Sequence, residues 1–314
     1  MEVIRHLDDL PSEARGGAVA IGNFDGVHRG HAQLIGRLVA KAKEVGGPAV
    51  VFTFDPHPVR ILRPHQCPPP LTWTQRKAEL LSRLGVDWVV AYPTDEALLR
   101  LSAREFFQRV VIDSLQARAM VEGPNFFFGH DREGDIHELR RLTAEAGIGL
   151  EIAEPVAEDG QIVSSSRIRQ LIQEEGGVGR ARQMLTAPYR LRGIVTHGAG
   201  RGAKLGFPTA NIEGIDTLLP AHGVYCGLAV IGGQRLPSAI NLGPNPTFHD
   251  MSAKVEVHVI GYDEPLYGKP LEIDFLERLR DVRSFGSPEE LIAQVRRDVL
   301  EADDTARCYL QGEC

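Results

Sequence analysis

Up to about Gly176 the chain alternates short apolar runs with segments of helical period, and beyond Pro188 that alternation stops. No single layered architecture takes both patterns. The first calls for a parallel sheet with right-handed helical crossovers, the second for an antiparallel barrel or sandwich. In the first half, residues 18–21 and 49–54 read as buried strands. Between them Leu34, Ile35, Leu38, Val39 and Ala42 form one helical stripe, closed by Gly46, Gly47 and Pro48. The pattern predicts further helices over 74–84, 102–115, 135–146 and 166–175, and strands over 88–91, 119–122 and 150–153. Strands are expected over 190–196, 224–231, 236–241, 254–260 and 271–279, then one helix over 287–301 with Ser287 as N-cap and Pro288 at its first position. The expected fold class is therefore α/β plus all-β. A Rossmann-like domain over 1–183 is followed by a small antiparallel barrel with a C-terminal helix over 184–314.

A length of 314 residues suits two such domains, and 43% hydrophobic with 25% charged residues suits two buried cores. The net charge of −7 offers no basic footprint for nucleic acid or an anionic membrane. No apolar run is longer than a strand, and the first ten residues lack a signal-peptide pattern, so a cytoplasmic protein is expected. The four cysteines, at 67, 226, 308 and 314, show no metal-ligand spacing, and reduced thiols are the expectation. Oligomeric state is not legible.

The chemistry concentrates in a few segments. GNFDGVHRGH (22–31) lies between a strand and a helix, where backbone N–H groups and the helix dipole favour an anion. His28 and His31 stand one turn apart in it, with Gly30 between, placed to donate to phosphates and stabilise charge at a reacting phosphorus. A metal pair is the competing reading, weakened by the lack of carboxylates at ligand spacing. No G-x-x-x-x-G-K-[ST] sequence occurs, so this is no P-loop. SSSRIR (164–169) precedes a predicted helix: the serines alone are ordinary caps, but Arg167 and Arg169 add fixed cations suited to a pyrophosphate. TFDPHP (53–58) ends the second strand at the same edge of the sheet. In the second half GAGRGAKLGFPTAN (198–211) joins a glycine loop able to wrap phosphates to Thr209 and Asn211, two hard oxygen donors suited to Mg²⁺. In KVEVH (254–258) Glu256 and His258 share one strand face and Val255 and Val257 the other. On an outer face that carboxylate would be ordinary.

These motifs resemble, in order and over about residues 15–302, the bacterial bifunctional riboflavin kinase/FAD synthetases, whose first half is an HxGH nucleotidyltransferase. The resemblance implies that riboflavin is phosphorylated by ATP to FMN, and FMN adenylylated by ATP to FAD with release of pyrophosphate. By it, His28, His31 and Arg167 act in adenylylation. Gly22, Asn23, Phe24, Asp25, Gly30, Phe54, Asp55, His57, Asn125, Ser164, Ser165 and Arg169 surround its nucleotide and flavin. Glu256 is the implied general base of the kinase. Gly198, Gly200, Lys204, Gly206, Pro208, Thr209 and Asn211 are its ATP segment, Thr209 and Asn211 holding Mg²⁺, and Arg280 is part of a flavin-covering segment. In GPNFFFG (123–129) Asn125 replaces the family's aspartate and Phe127 a basic or polar residue, while Asn245 stands for an arginine in NLGPNPTF (241–248). Two other readings remain at this stage: transfer of a different nucleotide, or a flavin-binding protein without turnover.

Overall fold

A computed structural model describes residues 2–198, 200–245 and 250–313, the side chains of residues 201, 204, 245 and 250–253 excepted. It contains two compact units: Met1–Pro68 with Thr72–Ser164, and Pro69–Leu71 with Ser165–Cys314.

The first unit is built on a sheet of β1 (Val3–Ile4), β2 (Ala18–Ile21), β3 (Ala49–Phe54), β4 (Trp88–Tyr92), β5 (Ala119–Glu122) and β6 (Gly149–Ile152). Every pair in it is parallel, in the order β1-β4-β3-β2-β5-β6. Strand order reverses between β2 and β5, and in open α/β sheets the crevice at that switch point receives the ligand. All four residues of β2 are buried, as are the first five of β3, which is why both read as continuous apolar runs. The helix Arg29–Val45 buries Ile35, Leu38 and Ala42 and ends on left-handed Gly46 at φ 67°.

The predicted helix over 102–115 is α-helical over Ala103–Phe106 and π-helical over Phe107–Ser114, entered by a capping box between Ser102 and Glu105. The predicted helix over 166–175 likewise changes from α (Ser165–Gln170) to π (Leu171–Glu175) before Gly176. Hydrophobic period alone does not separate the two hydrogen-bonding registers. The two-residue strand β1 and the hairpin of β7 (Ala157–Glu158) and β8 (Gln161–Ile162) are too short to leave a periodic signal.

In the second unit β9 (Tyr189–Thr196), β10 (Ala210–Glu213), β11 (Gly223–Ile231), β12 (Gln234–Asn245), β13 (Asp250–Val259) and β14 (Pro270–Arg280) form a closed barrel, β10-β13-β12-β11-β14-β9, antiparallel throughout. β10 lies in no strand expected from the sequence; it carries Asn211 and closes the barrel between β9 and β13. The last helix runs over Pro288–Gln311, ten residues past the predicted end. Its polar run continues the helix because Arg307 and Asp303 pair outward at 2.8 Å while Ala302 and Ala306 pack on Cys226, Leu228 and Leu276 of the barrel. Cys67 and Cys226 are free thiols, whereas Cys308 is disulfide-bonded, against the expectation of reduced thiols throughout.

Candidate active sites

The β2 strand ends at Ile21, and the turn that follows is tied down from inside. Asp25 is buried and accepts hydrogen bonds from Thr72 N at 3.0 Å and Thr72 Oγ1 at 3.1 Å. Phe24 is buried beneath the turn, its ring 5.2 Å from that of His31. His28 caps the helix Arg29–Val45 reciprocally: His31 N donates to His28 Nδ1 and His28 N donates to His31 Nδ1, both at 3.3 Å. The rings stack with centroids 3.6 Å apart, and a Cβ on Gly30 would sit 3.1 Å from the His28 ring. The HxGH spacing therefore makes a helix cap from two imidazoles.

Burial pulls the His28 pKa down to about 4, against a smaller upward pull from Asp25. Burial, His28 and Lys77 hold His31 well below the ordinary histidine range. Both rings are thus neutral at pH 7. With each Nδ1 lone pair taken by a backbone N–H, each ring's proton sits on Nε2, which leaves two Nε2–H donors for an anion.

The segments after β2, β3 and β5 together line one cavity of about 760 Å³. Gly22, Asn23, Phe54, His57 and Asn125 all contribute to it, so sequence-predicted residues from three separate motifs meet there. Asn23 Oδ1 is buried with no hydrogen-bond partner, an acceptor held ready at the cavity wall. His57 Nδ1 accepts from Val59 N at 3.1 Å, capping the short helix Pro58–Leu62. Asp55 accepts from Thr74 Oγ1 at 2.7 Å and pairs with Arg5, so its carboxylate is already engaged. Ser164 closes the first unit, while Ser165, Arg167 and Arg169 belong to the second, where Arg169 Nε donates to the Pro69 carbonyl at 3.0 Å.

Two residues of this region were missed from sequence. Lys77 is buried on the helix Thr74–Arg83 and donates to Thr53 Oγ1 at 3.3 Å; burial lowers its pKa against the pull of Asp25 and Asp55. Its signal was a lysine on the stripe shared with Leu81 and Leu84. Glu122 ends β5, and its carboxyl accepts from Ile21 N at 2.7 Å just past the last paired residues of β2 and β5, Val19 and Met120. Burial pushes its pKa well above the usual carboxylate range. An acid ending an apolar run at the carboxyl edge of the sheet was the clue.

The second site follows from strand register. Glu256 on β13 is paired with Asn211 on β10 and Asn241 on β12, Asn241 with Val224 on β11, and Val224 with Arg280 on β14. These five side chains line one cavity with Thr209, Gly200 and the last helix. Asn241 Nδ2 donates to Glu256 Oε2 at 3.4 Å, while Val255 and Val257 are buried on the opposite strand face, as the alternation predicted. His258 Nδ1 donates to the Pro208 carbonyl at 2.8 Å and anchors the segment that carries Thr209. A Cβ at Gly198 would lie 2.0 Å from Asn211 Nδ2, and one at Gly202 would lie 2.4 Å from the Phe207 carbonyl, so the loop needs both glycines to lie this close. Gly206 has a φ of 88°. Arg280 is bound by Asp298 of the last helix, Nη2 to Oδ2 at 2.6 Å. The Lys204 and Asn245 side chains and residues 246–248 of the NLGPNPTF motif lie outside the described residues. Asn241 was missed as a site residue because only the barrel register brings it opposite Glu256.

A family model described as FAD synthetase matches residues 10–167, and one described as riboflavin kinase matches residues 185–306. A bifunctional riboflavin kinase/FMN adenylyltransferase of Pseudomonas fluorescens is 36% identical over 303 residues, covering 96% of this chain and 97% of that protein. Proteins of the same description from Escherichia coli K12 and Bacillus subtilis are 32% and 33% identical, covering 96% and 95% of the chain and 97% and 96% of their own lengths. A solved Streptococcus pneumoniae structure titled a macrolide-efflux protein matches with a TM-score of 0.85 at 30% identity, over 96% of this chain and 98% of that one. Among the described residues no helix is long and apolar enough to cross a membrane.

Proposed function

Because this chain belongs to the bifunctional riboflavin kinase/FMN adenylyltransferases, making FMN from riboflavin and FAD from FMN with ATP, we propose that the two steps run in the two cavities just described. We assign adenylylation to residues 1–183 and phosphorylation to 184–314, in a cytoplasmic protein.

In the first site the Nε2–H groups of His28 and His31 donate to ATP phosphate oxygens as the FMN phosphate attacks the α-phosphorus, and the O–P bond to pyrophosphate breaks. Ser164, Ser165, Arg167 and Arg169 receive the departing pyrophosphate, Arg167 and Arg169 as charge-assisted donors. Gly22, Phe24, Asp25 and Gly30 shape the phosphate turn. Asn23, Phe54, His57 and Asn125 hold FMN, and Asp55 braces the β3 loop.

In the second site Glu256 accepts the proton of the ribityl 5′-hydroxyl as that oxygen attacks the γ-phosphorus, and the O–P bond to ADP breaks, ADP leaving. Thr209 and Asn211 offer oxygen donors beside the glycine loop, which suits Mg²⁺ arriving with ATP. The ion supplies charge neutralisation on the phosphates. Gly198, Gly200, Lys204, Gly206 and Pro208 cradle the nucleotide, and Arg280 braces the segment over the flavin.

The observation that carries this reading is the register placing Glu256 between Asn211 and Asn241 on one barrel face. Chromatography of products from riboflavin, ATP and Mg²⁺ tests it. His28→Ala with His31→Ala stops at FMN, and Glu256→Gln makes FAD only when FMN is supplied. Loss of both steps in either folded variant overturns the two-site assignment.

A further inference from the structure

One charge in the first cavity is used by nothing above. Phe126 and Phe128 stack on each other with centroids 5.3 Å apart, but Phe127 stays 45% exposed, and the Arg132 guanidinium lies 4.4 Å over its ring. All four line the cavity shared with Asn23 and Phe54. Among the described residues no carboxylate pairs with Arg132, although acids flank it in sequence. Asp131 faces His130 at 3.6 Å, and Glu133 accepts from Ala103 N at 2.7 Å.

The loop holding Arg132 is firmly set. Asp131 and Arg132 have φ of 49° and 60°, the left-handed region that L side chains avoid, at two consecutive positions without a glycine. Such a backbone persists where the surroundings over-determine it, and such positions cluster at ligand sites. Here Phe128 and Gly134 exchange backbone hydrogen bonds at 2.9 and 3.0 Å, and His130 N donates to the Leu101 carbonyl at 2.7 Å.

We propose that Arg132, seated on Phe127, is a specificity-determining residue of the adenylylation step that donates to the two adjacent acceptors of the flavin pyrimidine, N1 and the C2 carbonyl oxygen. The FMN phosphate is the nucleophile, so it lies with ATP at the β2 turn that carries His28 and His31. The ring then takes the aromatic part of the cavity, and a planar guanidinium fork matches N1 and the C2 carbonyl oxygen, two acceptors side by side with no donor between them. Phe127 holds the fork flat without neutralising it. This rests on the proposed reading of the cavity as the FMN subsite.

The test uses the full-length protein with saturating ATP, and lumiflavin, which has the ring but no ribityl phosphate, as a competitive inhibitor against FMN. For Arg132→Gln the KM for FMN rises about tenfold, the loss of one charge-assisted hydrogen bond, with kcat unchanged. The lumiflavin inhibition constant rises by the same factor, and Arg132→Lys recovers part of both. Unchanged urea unfolding followed by the fluorescence of Trp73 and Trp88, both in the same unit as Arg132, reports that this unit is folded. A higher FMN KM with unaltered lumiflavin inhibition makes Arg132 a phosphate contact and overturns the inference, as does a fall in kcat alone or no change at all. Phe54→Ala separates the two levels: if it raises the FMN KM while Arg132→Gln does not, only this inference fails. If neither variant moves it, the cavity is not the flavin subsite.

Discussion

Acidification should loosen the first unit through His28, and the size of the effect follows from its burial. The imidazole titrates near 6.5 in an unfolded chain and at about 4 in the folded one. Between those values the unfolded state binds more protons, so the stability is fully present above pH 6.5 and is lost as pH falls towards 4. The whole gap is worth about 3 kcal/mol, and integrating only from pH 7 to 5 gives about 2 kcal/mol. His28→Asn removes the titration while its amide oxygen can still accept the His31 N–H. The two tryptophans of the chain, Trp73 and Trp88, both lie in the first unit, so their fluorescence during urea unfolding reports that unit alone. Titrating groups away from His28 are common to both proteins and cancel in the difference, and His31 stays neutral in both because burial is the largest cause of its lowered pKa. The wild type should therefore lose about 2 kcal/mol more than His28→Asn between pH 7 and 5 without nucleotide. Equal pH slopes, or a wild type that gains on acidification, would refute the reasoning.

Glu122 should act with the opposite pH sense. Its folded pKa is raised, so the neutral acid is tolerated below its ordinary range and stability is lost as pH rises above it. Glu122→Gln, which keeps an acceptor for Ile21 N, should stabilise the first unit more at pH 8 than at pH 5, read by the same fluorescence. Glu256→Gln should slow riboflavin phosphorylation by about 10²–10⁴-fold in a product assay, with adenylylation of supplied FMN intact. Gly198→Ala must displace Asn211, since the new methyl would lie 2.0 Å from its Nδ2. Kinase turnover should drop at least about tenfold with the adenylylation rate unmoved. Chelation by EDTA should stop both reactions, and added Mg²⁺ should restore both.

Much of this was readable in the sequence because it rests on local chemistry. The strand–turn–helix at 18–45, the Ser287 cap and the alternation around Glu256 each leave a periodic or capping mark. What was not readable depends on partners distant along the chain. Lys77 stands among Asp25, Asp55 and Thr53 only once the helix Thr74–Arg83 packs against β4 and its lysine reaches Thr53 of β3. Asn241 and Glu256 meet through a barrel register, and Arg132 meets Phe127 through a loop whose left-handed residues carry no glycine to announce them.

The short helices between the two halves constrain how this polypeptide can be dissected. Gly176 leaves no room for a Cβ against Tyr225 and Arg278, and Gly179 none against Glu277, so both are fitted to barrel strands. Ala221 N also bonds the Ile172 carbonyl. A gene fragment opening at codon 184 would strip that collar and leave strands β11 and β14 bare along one flank. One opening at Ser165 would carry it along, and is the better starting point for expressing the kinase alone.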